Sequence, residues 1–199
     1  MIDHRLCADT TDEELVRLTL RDRDMYACLI RRYEAPLARY VRRISGCGDD
    51  DIADILQNVF INAYRNLNDF DLSLKFSSWL YRIAHNETIS QYRKRRTQPQ
   101  TVSVEEGDDL FELLASDVDV VRDTDRRMAA QHIRTALDTL DSTYRDVLVL
   151  KFLEDKDYRE ISDILQKPMG TVATLINRAK KQLRKRIETE HAFLIQPKP

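Results

Sequence analysis

Apolar residues recur every three or four positions along most of the chain, the spacing that places them on one face of an α-helix. Runs that alternate at period two are few, and only four glycines and five prolines interrupt the 199 residues. The pattern therefore predicts an all-α protein. It is clearest in a helix predicted from about Asp24 to Ile44, whose inward face comprises Leu29, Ile30, Tyr33, Leu37, Tyr40, Val41 and Ile44.

Three further helices are predicted in the first half of the chain. A capping box that begins at Thr11 starts the first of them. The aspartates after "SGCG" are suited to cap another, from about Asp50 to Leu67. The last runs from about Trp79 to Lys94, with Ser77 or Ser78 as its N-cap.

The second half of the chain predicts four shorter helices. The first two run from about Asp125 to Leu140 and from Tyr144 to Phe152. A third follows the capping box Asp157-x-x-Glu160, and the last runs from about Met169 to His191. The tight break at Gln166–Pro168 between these two is typical of a helix-turn-helix, whose second helix lies in the DNA major groove.

Charge is distributed unevenly along a chain whose net charge is only −2. Between Thr97 and Asp125 acidic residues outnumber a single cation, Arg122, and the segment has the polar, proline-containing composition of a linker. Basic clusters lie on both sides of it. The sequence thus predicts two helical domains, residues 1–96 and 126–199, joined by an acidic linker, residues 97–125.

The composition also limits which kinds of functional site the chain can contain. The three cysteines form no C-x-x-C pair, so neither a zinc site nor a disulfide framework is expected, and Cys28 is expected to be a small core residue. No apolar stretch approaches the roughly 18 residues of a membrane span, so a soluble protein of the reducing cytoplasm is expected. Neither a nucleophile–base constellation nor a glycine-rich phosphate loop is present, so no catalytic residue, metal or cofactor is expected.

The last predicted helix carries short polar side chains on its outward face, Thr171, Thr174 and Asn177, which suit base edges or phosphates. Its cationic residues are Arg178, Lys180, Lys181, Arg184, Lys185 and Arg186. If about five of them contacted phosphates, DNA affinity would fall with a log–log salt slope of about −4 to −5. The alternative is an ordinary surface helix, whose lysines only keep it solvated and bind no DNA.

Aromatic and cationic residues also cluster in the first half. They are Phe70, Phe76, Trp79, Tyr81, Arg82 and Arg93–Arg96. Single-stranded DNA is bound by this combination, through stacking and phosphate neutralisation. The spacing leaves open whether Trp79 packs in the core or stacks on a base. Asn86, one turn after Arg82, offers an amide to the edge of an unstacked base, and His85 is expected to face solvent or make a local bond.

Two segments, in this order, resemble a known family. Residues 51–96, "DIADILQNVF…QYRKRR", resemble conserved region two of bacterial RNA polymerase sigma factors of the extracytoplasmic-function (ECF) type. Residues 137–187, "LDTLDSTYRDVL…LRKRI", resemble their region four. The resemblance implies a protein that joins core RNA polymerase, recognises a promoter and helps to melt it, without catalysis of its own.

The resemblance also implies roles for particular residues. Asp54, Gln57 and Phe60 match a helix that docks on the clamp helices of the polymerase β′ subunit. The loop Asp69–Phe76 matches one that captures a flipped minus-ten base, and Asn86 matches an amide that lines its pocket. The minus-ten DNA residues implied are Phe70, Lys75, Phe76, Trp79, Asn86, Arg93, Lys94, Arg95 and Arg96.

In region four, Gly170 to Val172 match the start of the minus-thirty-five recognition helix. The DNA residues implied there are Thr171, Ala173, Thr174, Asn177, Arg178 and Lys181. Family members often carry a basic residue where this chain has Ala173 and Leu175. Further implied contacts are the polymerase β flap for region four, the active-site and RNA-exit channels for the linker, and an anti-sigma factor.

Two other functions fit the residues without the resemblance. One is a helix-turn-helix transcriptional regulator that binds duplex DNA tightly without polymerase, its first domain serving for dimerisation or effector binding. The other is a helical adaptor that binds only protein and has no salt-dependent affinity for DNA. A sigma factor differs from both because it is expected to bind promoters weakly unless polymerase is present.

Overall fold

The computed structural model describes residue 7, residues 9–95 and residues 135–194. All regular secondary structure in these ranges is helical, which confirms the predicted all-α class. The chain divides into an N-terminal and a C-terminal compact unit. Among the described residues, no helix is long and apolar enough to cross a membrane. The predicted linker and most of the helix predicted from Asp125 lie outside these ranges.

Between residues 10 and 95 the N-terminal unit contains four α-helices, with a single 3-10 turn after the first and after the third. The helices are α1 (Asp12–Arg21), α2 (Tyr26–Ser45), α3 (Asp49–Arg65) and α4 (Phe76–Arg95), and the 3-10 turns are Arg23–Met25 and Leu67–Asp69. Gly46, in the left-handed conformation with φ 65°, ends α2.

The core of this unit forms where the apolar faces of its helices meet. The predicted inward face of α2 is confirmed except at Ile30, which is only half-buried. Its buried partners on α3 and α4 are Val59, Ala63, Phe76, Leu80 and Ala84, all at most 1% exposed. Each buried side chain of leucine size contributes about 1.5–3 kcal/mol relative to exposure, so these faces fix how the helices pack.

The helix starts show one correct and one wrong prediction. Thr11 caps α1 as predicted, because its Oγ1 accepts a hydrogen bond from the Glu14 N–H at 3.3 Å. Ser77 and Ser78 do not cap α4, because the helix begins earlier, at Phe76, and Ser78 lies buried in its first turn. The Phe76 N–H instead donates to Oε1 of Glu13, a residue of α1, at 3.4 Å.

One disulfide is present, although the cysteine spacing predicted no disulfide framework. Cys7 and Cys28 are joined, with their Cα atoms 5.1 Å apart, whereas Cys47 is not part of a disulfide. The two residues are separated by 21 positions, a spacing that carries no motif, and only the fold brings them together. Cys28 is 1% exposed, so its predicted place in the core is confirmed.

The C-terminal unit contains α5 (Ser142–Leu148), a π-helical turn (Val149–Leu153), α6 (Tyr158–Leu165) and α7 (Met169–Leu194). The helix predicted from Tyr144 to Phe152 is therefore only partly α-helical. Its end is wound more loosely because the Glu154 N–H donates to the Val149 carbonyl five residues back, at 3.0 Å. The buried side chains around which these elements pack include Val147, Leu150, Ile161, Ile164, Val172, Ile176, Ala179 and Leu183.

Candidate polymerase and promoter surfaces

The loop between α3 and α4 is anchored at both ends by buried aromatic rings. Phe70 is 7% exposed and Phe76 is fully buried, and their rings meet edge to face with centroids 5.5 Å apart. The half-buried Trp79 lies 5.2 Å from Phe70 and 5.6 Å from Phe76. Residues 71–75, which we call the loop tip, are all exposed. Rigid anchors thus hold a solvent-facing tip.

The loop tip has a defined turn. The Asp71 carboxylate accepts the Ser73 N–H at 2.9 Å, and the Leu74 N–H donates to the Asp71 carbonyl at 3.0 Å. The bonds from Ser73 lower the pKa of Asp71, so this carboxyl stays ionised. Leu72 and Leu74 are each 39% exposed, which places apolar surface next to the exposed Lys75.

The burial of Phe70 and Phe76 bears on the residues predicted to contact minus-ten DNA. As they are placed, these rings support Trp79 and leave little or no surface for a base. Direct contact of either ring with DNA stays a prediction that the geometry does not favour. Trp79 is half-buried and packs on both rings, and stacking of its remaining surface on a base stays a prediction.

Helix α4 continues from the loop and presents a polar stripe. Trp79, Asn86 and Arg93 follow one another at intervals of seven residues, two helical turns, and so lie on the same side of the helix. Asn86 and Arg93 are exposed. Lys94 and Arg95 belong to the last turn of α4, and Arg96 lies outside the described residues.

Sequence reasoning missed what fixes the orientation of α4 beside Asn86. The His85 ring nitrogen Nδ1 lies 3.0 Å from the hydroxyl of Tyr40, a fully buried residue of α2. The Tyr40 ring in turn contacts Tyr81 at 5.0 Å. The bond is therefore a long-range one, not the solvent exposure or local bond expected for His85. It sets which side of α4 carries Asn86.

The predicted polymerase-binding residues fall in two environments. Asp54 and Gln57 are exposed on α3, whereas Phe60 is half-buried, and its carbonyl accepts the Tyr26 hydroxyl at 2.7 Å. Ile61, 41% exposed, lies on the same side as Asp54 and Gln57, and Tyr64, 38% exposed, follows at the next turn. We call Asp54, Gln57, Ile61 and Tyr64 the α3 stripe. The exposure of Ile61 and Tyr64 was not predicted, because helical spacing alone does not separate a core face from an exposed one.

The helix-turn-helix prediction is confirmed in geometry. Its turn places Gln166 in the left-handed region at φ 53°. Ser162 and Lys167 bridge the turn, through Ser162 Oγ to the Lys167 carbonyl at 2.5 Å and the Lys167 N–H to the Ser162 carbonyl at 3.1 Å. The capping box that begins α6 is also confirmed, with both bonds present, Glu160 N–H to Asp157 Oδ1 and Asp157 N–H to Glu160 Oε2, at 2.8 and 3.0 Å.

Helix α7 buries its predicted inward face and exposes most of the residues implied for minus-thirty-five DNA. Thr171, Thr174, Asn177, Arg178 and Lys181 are exposed, and Ala173 is half-buried. The Thr174 hydroxyl donates to the Gly170 carbonyl at 2.9 Å, which leaves its lone pairs and methyl group for a ligand. Lys180 instead lies with its Nζ 5.7 Å from the Phe152 ring centroid.

The described residues contain no group of three or more His, Cys, Asp or Glu side chains arranged to hold a metal ion. The surfaces with predicted roles expose an acid, an amide and apolar side chains on α3, the Asn86 amide and the Arg93 guanidinium on α4, and small polar groups with cations on α7.

Two family models match the chain in the expected order, Sigma-70 region 2 over residues 29–98 and Sigma-70, region 4 over residues 130–183. ECF RNA polymerase sigma factor SigW of Bacillus subtilis (strain 168) is 34% identical over 170 residues, covering 83% of this chain and 90% of that protein. The ECF RNA polymerase sigma-E factor of Haemophilus influenzae is 30% identical over 189 residues, covering 89% and 96%.

Two solved structures share the fold. One is CnrH in complex with the cytosolic domain of CnrY, with a TM-score of 0.66 and 23% identity over 89% of this chain and 97% of that one. The other is the sigma factor RpoE in complex with the anti-sigma factor NepR from Bartonella quintana, with a TM-score of 0.61 and 20% identity over 80% and 94%.

Both family models match in one chain, which neither the regulator nor the adaptor hypothesis requires. Together with the sequence relatives, which the chain covers almost completely, they establish that it belongs to the ECF family of RNA polymerase sigma factors, non-enzymatic subunits that direct RNA polymerase to promoters.

Proposed function

We propose a division of the sigma function among named surfaces of this chain. Residues 1–96 bind core polymerase and open the minus-ten element, residues 97–125 form the linker, and residues 126–199 read the minus-thirty-five element. The observation that carries the proposal is the stripe of Trp79, Asn86 and Arg93, which starts at the loop tip and runs along α4. At 1.5 Å per residue it extends over about 20 Å, the length of several nucleotides.

For promoter opening, the loop tip takes the flipped minus-ten base and the Asn86 amide bonds its edge. An amide carries both donors and an acceptor, which matches the polar edge of an unpaired base. Trp79 stacks with the part of its ring that remains exposed. Arg93 and the cations that follow it hold the adjoining backbone phosphates, so the melted strand is fixed at both ends of the stripe.

For polymerase binding, we assign the α3 stripe to the clamp helices of β′. Ile61 and Tyr64 add apolar area beside Asp54 and Gln57, and an interface needs such a desolvated centre. The half-buried Phe60 supports the stripe from behind. In the C-terminal unit, α7 enters the major groove, where Thr171, Asn177 and Arg178 meet base edges and Lys181 a phosphate. Region four also contacts the β flap.

We place the protein in the cytoplasm, where core polymerase and promoters are found. We also infer an anti-sigma partner, because the two solved structures described above each contain a bound protein, named as an anti-sigma factor in one of them. Such a partner would mask at least one of the surfaces assigned above, since that is the direct way to prevent assembly with polymerase.

The test is run-off transcription with bacterial core polymerase over a promoter library, comparing wild type with the double variant Asp54→Ala/Gln57→Ala. Loss of two interface side chains is expected to lower promoter-directed transcript at least tenfold. Glu34→Ala, which removes an exposed acid of α2 outside the α3 stripe, serves as the matched control and is expected to transcribe normally. Normal transcription by the double variant would overturn the assignment of α3.

Promoter contacts are separated in the same assay. Arg178→Ala is expected to reduce transcription from promoters that depend on the minus-thirty-five element. Asn86→Ala is expected to reduce promoter melting without loss of polymerase binding. Equal loss of melting and polymerase binding in Asn86→Ala would show that this residue is structural. Salt titration of holoenzyme binding supplies the number of phosphate contacts, because each contributes about 0.9 to the log–log slope on duplex DNA.

A further inference from the structure

Helix α1 lies before residue 29, where the match to the Sigma-70 region 2 family model begins. It is nevertheless part of the core, since Leu15, Val16 and Thr19 are at most 3% exposed. It packs against α2, α4 and the 3-10 turn Leu67–Asp69. The 3-10 turn precedes residues 70–75 and α4 follows them, so α1 contacts the elements on both sides of this loop.

One side chain of α1 reaches the backbone where the loop ends. The first N–H groups of any helix have no partner within the helix, and a carboxylate placed there is favoured by hydrogen bonding and by the helix dipole. The residue before α4 is Lys75, whose ammonium group has no acceptor to offer. Glu13, 63 residues away in sequence, supplies the acceptor through Oε1, 3.4 Å from the Phe76 nitrogen.

The position of Glu13 is itself fixed by its neighbour. The Asp12 carboxylate accepts hydrogen bonds from the Arg32 guanidinium and from the Tyr33 hydroxyl, both on α2. Burial and the bond to Asp12 raise the pKa of Tyr33, so the phenol keeps the proton that it donates. The Tyr33 ring also meets Phe76, with centroids 5.8 Å apart. The first turn of α1 is therefore attached to the start of α4 on two sides.

We propose that Glu13 is a positioning residue for promoter opening. From helix α1 its carboxylate caps α4 and fixes the trailing end of the loop tip, so that the tip is already ordered when it meets the flipped base. Glu13 touches no DNA. The inference rests on the proposed role of the loop in base capture, and it adds a part of the chain that the region 2 family model does not match.

Loss of the cap is expected to fray the first turn of α4 and to release the Lys75 end of the loop. The melted strand must then order the tip as it binds, which weakens capture. Glu13→Ala should therefore reduce opening about fivefold, the effect of losing one helix cap. Glu13→Gln, which keeps the acceptor oxygen but not the charge, should retain most of the opening. Glu14→Ala is the matched control, because Glu14 lies in the same turn but bonds Arg17 instead.

The experiment uses holoenzyme reconstituted from core polymerase and full-length protein. Opening is followed by fluorescence of 2-aminopurine in the minus-ten region, and transcription is compared on duplex templates and on templates already melted there. Glu13→Ala is expected to be defective on the duplex and normal on the melted template. Normal opening by Glu13→Ala, or an equal defect on both templates, would overturn the inference.

Asn86→Ala in the same assay distinguishes this inference from the function on which it rests. If Asn86→Ala opens poorly and Glu13→Ala opens normally, base capture stands and the role of Glu13 is refuted. If Asn86→Ala opens normally, base capture fails and the inference about Glu13 falls with it. Thermal unfolding of both Glu13 variants, followed by Trp79 fluorescence, shows that the compared proteins are folded.

Discussion

The two units of the molecule hold their functional helices by different means. In the N-terminal unit the bonds that fix α4 and α3 join residues far apart in the chain: Tyr40 and His85 are separated by 45 positions, and the Tyr26 hydroxyl reaches the carbonyl of Phe60, 34 positions away. In the C-terminal unit the cap of α6 and the turn before α7 are closed by bonds between residues three to five positions apart.

The difference follows what each unit has to position. A recognition helix in a major groove is a regular element, and it needs only a turn of the right angle and an apolar inward face. A loop that takes a single base, the role proposed for the loop between α3 and α4, needs each of its ends placed by the rest of the unit. We therefore expect disturbance of distant residues to reach the loop tip in the first unit and local disturbance to stay local in the second.

The largest effect on stability should come from removing the disulfide. In oxidised protein, Cys7→Ser removes a cross-link that spans 21 positions, which is expected to cost the N-terminal unit about 3 kcal/mol of unfolding free energy. Trp79, the only tryptophan, reports unfolding of this unit. The reduced wild type should match the variant, and Cys47→Ser should match the oxidised wild type. Equal stability of all these proteins would contradict the long-range bracing of this unit.

A smaller effect is expected in the C-terminal unit. Burial raises the pKa of Asp146 to about 7, an effect that Arg145 opposes. The folded state thus holds this proton more tightly than the unfolded state, so the stabilising contribution is full below pH 4 and is lost as the pH rises to 7.

Relative to Asp146→Asn, the wild type should lose about 2 kcal/mol of unfolding free energy between pH 5 and pH 8. Circular dichroism measures this change. The unfolding transition seen by Trp79 fluorescence should respond equally to pH in both proteins, because Trp79 belongs to the other unit. A constant difference between the two proteins at all pH values would show that Asp146 is ionised when folded.

The smallest effect should come from a local cap. Asp157→Ala removes the acceptor for the Glu160 N–H and is expected to destabilise the C-terminal unit by about 1 kcal/mol. Asp157→Asn, which keeps a capping oxygen, should lower the unfolding free energy by only a few tenths of a kcal/mol. Urea unfolding measures both. Templates that lack a minus-thirty-five element test whether this effect stays local. If Asp157→Ala changes minus-ten opening on them, the substitution has affected the N-terminal unit, and the contrast between the two units is contradicted.

Local patterns in the sequence predicted what local physics determines. The spacing of apolar residues located the inward faces of α2 and α7, and the Asp157–Glu160 motif located the start of α6. Each of these depends on residues within one or two helical turns. The exposed Asn86 and the α7 residues Thr171 and Arg178 were likewise found on surfaces, as their polarity indicated.

The features that were missed depend on contacts across the fold. Glu13 appears in the sequence only as an intervening residue of the Thr11–Glu14 capping box, and nothing near Phe76 shows that its N–H needs a partner. Cys7 and Cys28 have no diagnostic spacing. The resemblance assigned Phe60 to polymerase binding, and that assignment stays a prediction. Sequence reasoning did not show that Phe60 is half-buried whereas the adjacent Ile61 is exposed, because only the packing of α3 in the folded unit separates the two.

The separation between the buried anchors of the loop and its exposed tip has a consequence for how promoter choice changes during evolution. Phe70 and Phe76 are buried and stabilise the folded unit. Leu72, Leu74 and Lys75 are exposed and contribute little to its stability. Substitutions in the tip should therefore be nearly free of a stability cost. If the tip captures the minus-ten base as proposed, relatives can diverge there and acquire new promoters, and an engineer can exchange residues 71–75 as a cassette, without redesigning the domain that displays them.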